Sequence, residues 1–166
     1  MRLNLYPLAL SGSVRRRTLV KNRLWFEPYR LPWYVRAILV ALGLGLMSLL
    51  GIAATLRPAA KGYGTHTQLG LAPCTLTEVA GIRCPSCGMT TSWAWFVRGR
   101  WIQAVQANAG GTLVALIAAV VGPGALVTGL RGRWFGRPPA EWLVVCISVS
   151  IVVVTLTDWC WRLFSS

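Results

Sequence analysis

Residues 37–56, AILVALGLGLMSLLGIAATL, form a run of twenty residues without a charge. At about 1.5 Å per residue a helix of that length covers about 30 Å, the thickness of a bilayer's hydrocarbon core. In lipid each backbone N–H and C=O must find its partner inside the protein, and a helix does this within one segment. Two more runs repeat the pattern. Residues 107–130, ANAGGTLVALIAAVVGPGALVTGL, are uncharged, and residues 142–157, WLVVCISVSIVVVTLT, continue past Asp158 as an apolar stretch. The expected fold is all-α: an integral membrane protein with about three transmembrane helices, at about 37–56, 107–130 and 142–163, in a membrane domain covering 37–164. A cleaved signal peptide is the rival reading of the first run. The run is too long for an h-region and the basic stretch before it too long for an n-region, so an uncleaved anchor is expected. Pro123 between two glycines predicts a kink or break. Gly43 and Gly45 permit close helix approach but lack the GxxxG spacing.

Composition agrees. Hydrophobic residues make up 55% and charged residues 13%, against about 25% charged in soluble domains. The net charge of +13 fits nucleic acid or a membrane surface. The apolar content decides for the membrane, and no nucleic-acid partner is expected. Residues 1–36 read as a basic arm, with Pro28 and Pro32 as helix breakers. Eleven of the 17 Lys and Arg fall in that arm and in the loop between the second and third runs. The positive-inside rule then puts the N-terminus in the cytoplasm and the loop after the first span outside. Arg15, Arg16, Arg17, Arg131, Arg133 and Arg137 are the expected contacts to anionic lipids. Cys146 and Cys160, in the last run, are expected to pack as small buried apolar residues.

The remaining cysteines cluster between the first two spans. GIRCPSCGMTTSWAWF, residues 81–96, holds Cys84 and Cys87, and Cys74 stands ten residues before Cys84. The segment 66–101 is expected to be interfacial or re-entrant, and three readings of it stand open. A C-P-x-C-G turn has the form of a metal knuckle, with Cys74 and His66 as further ligands, which suits zinc. A C-x-x-C at a helix N-terminus also suits thiol exchange by Cys84 and Cys87, with Cys74 as resolving thiol. In that reading Thr90, Thr91 and Ser92 are candidate caps. The third reading is structural: a disulfide or reduced pair pinning the segment, with Trp93, Trp95, Phe96 and Trp101 at headgroup level and Arg98 and Arg100 reaching for phosphates.

These residues resemble a family of small bacterial membrane proteins known as domain of unknown function 2752. The family pattern is an upstream Cys, then T-G-x-x-C-P-x-C-G-x-T, then G-x4-A-x3-N before an apolar helix. Here stand Cys74, then Gly81, Cys84, Pro85, Cys87, Gly88 and Thr90, then Gly99, Ala104 and Asn108. The resemblance covers roughly residues 66–130. Thr91 replaces the family's usual Arg, and Ala109 replaces the proline that commonly follows the Asn. The resemblance implies a multi-pass bacterial membrane protein and no established chemistry; the bacterial inner membrane, with a cytoplasmic N-terminus, is the expected location.

Four acidic residues and one histidine offer little for a paired-carboxylate catalyst or a triad. The expected function is a non-catalytic accessory or assembly subunit of a larger inner-membrane complex, partnered by other membrane subunits or by itself, with no cofactor. A membrane thiol oxidoreductase and a metal-binding protein, with zinc as its ion, are the alternatives.

Overall fold

The computed structural model describes residues 30–134 and 140–164. Arg15, Arg16, Arg17 and Arg137 lie outside the described residues. Among the described residues six α-helices follow one another: α1 Trp33–Thr55, α2 Thr75–Val79, α3 Met89–Phe96, α4 Trp101–Ala107, α5 Ala109–Arg131 and α6 Glu141–Phe164, with a 3-10 turn at Thr65–Leu69. Among the described residues there is no β-strand, only an isolated antiparallel bridge between Arg30 and Arg133. Three helices, α1, α5 and α6, are long and apolar enough to cross a membrane.

α1 begins before the uncharged run because Arg36 is neutralised from outside its own helix. Its guanidinium donates to the carbonyls of Gly129 and Leu130, 3.1 Å each, at the end of α5. Those carbonyls have no intrahelical partner, so the cation and the helix end satisfy each other. The other end of α1 is closed in the same way. Arg98 donates to Ala54 O at 3.0 Å and Leu56 O at 2.7 Å. The expected reach of Arg98 toward phosphates is therefore corrected: its guanidinium closes α1. Arg100 lies over the Trp95 ring, 5.5 Å from its centre.

α1 and α5 form the main helix pair, and small residues let them close. α5 carries buried Gly111, Ala115, Ala118, Gly122, Ala125 and Gly129, at alternating steps of four and three, which keeps them on one stripe. A Cβ on Gly129 would sit 2.8 Å from Val40 Cγ2, and one on Gly43 would sit 2.8 Å from Gly122 O. Without a hydrophobic drive between helices in lipid, such close backbone packing is what holds spans together. Pro123 lies inside α5, which runs on through it, so of the expected kink or break the break does not occur.

Among helices, α6 packs only against α5 in the described residues. Cys146 and Cys160 are exposed, contrary to the expected burial. With one neighbour, α6 turns most of its surface outward, and these cysteines fall on that surface. Chain direction places the α1 N-terminus and α5 C-terminus at one end. The turn, α2, α3 and α4 form a cap at the other, where the last turns of α6 also arrive.

Candidate functional site

The cap gathers all three clustered cysteines. The Sγ atoms of Cys74, Cys84 and Cys87 lie within 4.8 Å of one another. Cys87 is buried, and the other two are half-buried. Cys74 precedes α2, whose residue Thr77 returns its hydroxyl to 3.5 Å from Cys87 Sγ. Two chain segments thus meet at the sulfurs.

The CPSC loop is held from behind by its carbonyls. Trp159 Nε1 donates to Arg83 O at 2.7 Å. Asn108 Nδ2 donates to Pro85 O at 3.0 Å and to Cys87 O at 3.1 Å. Arg162 Nη1 donates to Cys87 O at 3.0 Å, and Arg162 is paired with Asp158 at 2.6 Å. Asn108 is fully buried and also caps α5, its Oδ1 accepting from Gly111 N at 2.6 Å. One side chain therefore uses donors on the cysteine loop and an acceptor on a span. Gly88 then turns the chain at φ +88°, in a space where a Cβ would sit 2.7 Å from Gly62 O. Only glycine meets both demands.

Thr90, Thr91 and Ser92 do not cap α3. The N-cap is Gly88. Ser92 Oγ donates inside the helix to Met89 O at 2.7 Å. Thr91 is fully buried, its hydroxyl 2.7 Å from that of Thr65. Ala109 offers an N–H that a proline would lack, and it donates to Asp158 Oδ2 at 3.4 Å.

His66 lies outside the sulfur cluster but on the walls of the space beside it. One cavity of about 290 Å³ is lined by His66 with Cys74, Cys84 and Cys87. A neighbouring cavity of about 280 Å³ is lined by His66, Cys74 and Cys87, with Lys61 and Glu78. Tyr63 shares that wall, its ring flanked by Lys61 Nζ at 4.8 Å and Arg83 at 4.4 Å.

The thiols differ. Hydrogen bonds from Thr77, backbone first and then hydroxyl, with a further one from Cys84, lower the Cys74 thiol to about 6. Burial pushes the Cys84 thiol up, assisted by its bond to Cys74 and by the nearby Cys87. A lowered thiol keeps its thiolate until pH falls through the new value, and thiolate is the species that alkylates. In reduced, metal-free protein, Cys74 should therefore react with iodoacetamide down to pH near 6, while Cys84 lags behind an ordinary thiol at neutral pH. Mass-mapped alkylation rates check this. A Cys74 rate that falls away at the ordinary thiol value of about 8.5 contradicts it.

Sequence reasoning singled out the three sulfurs and His66. It assigned no part in the cysteine site to Asp158, Trp159 or Arg162, and gave Asn108 only its place in the family pattern. Asn before an uncharged run is an N-cap signal, and an Asp and Arg four apart in an apolar helix signal a partnered site.

Fold and site together define a helical membrane protein with three spans and a cysteine cluster in a cap at one end. Residues 74–122 match the model of the family described as "Protein of unknown function (DUF2752)". The match agrees with the resemblance drawn from the cysteine segment. No curated protein and no solved structure matches the chain.

Proposed function

We propose that the protein is a non-catalytic membrane subunit that binds one thiophilic metal ion through Cys74, Cys84 and Cys87. The observation that carries this reading is the convergence of three sulfurs, from two segments, within 4.8 Å. A disulfide engages two sulfurs and has no use for a third at the same distance. A soft metal ion engages all three, since thiolates at about 2.3 Å from one centre draw together. The clamp on the loop's carbonyls supports the same reading, because ligands held in place before binding lose less entropy on binding.

The accessory or assembly role belongs to this proposal. The cap would present the centre to other membrane subunits, or to a second copy of the chain, on the extracytoplasmic face of a bacterial inner membrane. The positive-inside count supports that orientation. Arg15, Arg16, Arg17, Arg131, Arg133 and Arg137 would then meet anionic lipids on the cytoplasmic face.

The low Cys74 thiol favours a second reading, a thiol exchanger. There the Cys74 thiolate attacks a partner's disulfide and releases one partner thiolate. Cys84 then attacks the Cys74 sulfur, releases the second thiolate and leaves a Cys74–Cys84 disulfide, so the partner gains two electrons. The roles are reversed from those expected for Cys74 and Cys84.

Metal titration of the reduced protein in detergent separates the two. The metal reading expects one ion per chain, and Cys74→Ser, Cys84→Ser and Cys87→Ser should each weaken binding by more than the roughly 10–100-fold typical of an outer-shell change. Unchanged affinity in all three variants would sink it. Absence of binding in the native chain, with a trapped mixed disulfide in Cys84→Ser, would establish the exchanger.

A further inference from the structure

Three sulfurs leave one vertex of a tetrahedron open. A monovalent soft ion is content with three thiolates, whereas a closed zinc centre takes four ligands, Cys3His among them. The missing donor decides the class of metal.

We propose that His66 supplies that fourth ligand through Nδ1, so that the centre takes a tetrahedral divalent ion of the zinc class; this rests on the metal reading above. Two observations support the assignment. His66 lines both cavities beside the cluster, one of them with all three cysteines. Its Nε2 is 3.2 Å from the carbonyl of Ala72. A carbonyl only accepts, so that nitrogen carries the proton and Nδ1 keeps its lone pair. A ligating histidine has this outer arrangement: one ring N–H given to a backbone carbonyl, the other nitrogen free for the metal.

Coordination would require His66 to close the remaining distance to the sulfurs, and glycines bound the turn that carries it. The Thr65–Leu69 turn lies between Gly64 and Gly70, both left-handed at φ +86° and +76°. Its first residue is fixed: Thr65 is fully buried and bonded to Thr91 and to Ala59 N. His66 follows that anchor directly, and its ring bonds to the carbonyl of Ala72, two residues before Cys74. Drawing Cys74 toward an ion draws the Ala72 carbonyl, and the ring bonded to it, the same way. Glu78 is the competing donor on the cavity wall. It is exposed, and its hard carboxylate oxygen suits the sulfur set less well.

The chain has a single histidine, which makes a direct test possible. Untagged full-length protein, labelled with 15N-histidine and held reduced and metal-free in detergent, gives one pair of ring nitrogens. Zinc should move the Nδ1 resonance to the metal-bound range and leave Nε2 protonated. Monovalent copper should leave both in place. Zinc affinity in His66→Ala should fall by more than the roughly 10–100-fold of an outer-shell loss, while Glu78→Gln keeps native affinity. Zinc bound at one equivalent with unmoved ring resonances, or affinity lost in Glu78→Gln and kept in His66→Ala, overturns the His66 assignment alone. No zinc or copper bound by the native chain overturns the metal reading and this assignment with it.

Discussion

Gly43→Ala is expected to cost about 3 kcal/mol or more and to lower accumulation of the protein sharply. The added Cβ would stand 2.8 Å from Gly122 O and 2.9 Å from Leu126 N. Both are backbone atoms of α5, so no rotamer change removes the clash, and the helices must separate. Overpacking costs roughly 1–3 kcal/mol where side chains yield, and more where backbone must move. The same substitution two residues on is the control. Nothing lies within 4 Å of a Cβ on Gly45, and Ala exceeds Gly in helix propensity by about 1 kcal/mol. Gly45→Ala should therefore be neutral or mildly stabilising. Thermal unfolding in detergent, followed by tryptophan emission, compares the two. Equal midpoints for both variants would show that α1 and α5 do not meet at Gly43.

Asn108→Ala should destabilise by about 2–4 kcal/mol, because two functions go at once. The N-cap of α5 is worth about 0.5–2 kcal/mol. Pro85 O loses its donor and Cys87 O loses one of two, and a buried carbonyl left unpaired costs about 1–3 kcal/mol. Asn108→Asp separates these functions. A carboxylate still accepts from Gly111 N, but it can donate to neither carbonyl and sets its charge against both. The Asp variant should therefore retain the span while loosening the CPSC loop, with metal affinity reduced roughly 10–100-fold, as for other supporting partners. Chemical denaturation and metal titration on both variants read these effects. Native metal affinity in Asn108→Asp would mean that the carbonyl clamp does not position the sulfurs.

The spans were legible because lipid imposes so simple a demand: no charge over about twenty residues. What failed were rules that need a neighbour. Reading α1 from its uncharged run stops at Arg36, since a lone charge ends a span; the structure begins the helix at Trp33 because α5 supplies carbonyls to that charge. Arg98 was read against phosphates for the same reason, the end of α1 being invisible from residue 98. The 4–3 stripe of small residues on α5 was present in the sequence, but Gly43 and Gly45 of α1 attract attention first. At the site, the spacing of Cys84 and Cys87 announces a turn. That Cys74 joins them depends on the return of Thr77, and that the loop is held depends on α6, over seventy residues away. No local pattern carries either contact.

Intact mass of the protein, purified under native, chelator-free conditions and then under denaturing ones, tests the central claim most directly. The account predicts a native mass raised by one metal ion per chain, and a denatured mass in which Cys74, Cys84 and Cys87 are all reduced thiols. A native chain without metal, lighter by two hydrogens and carrying a disulfide between any two of these cysteines, would contradict it.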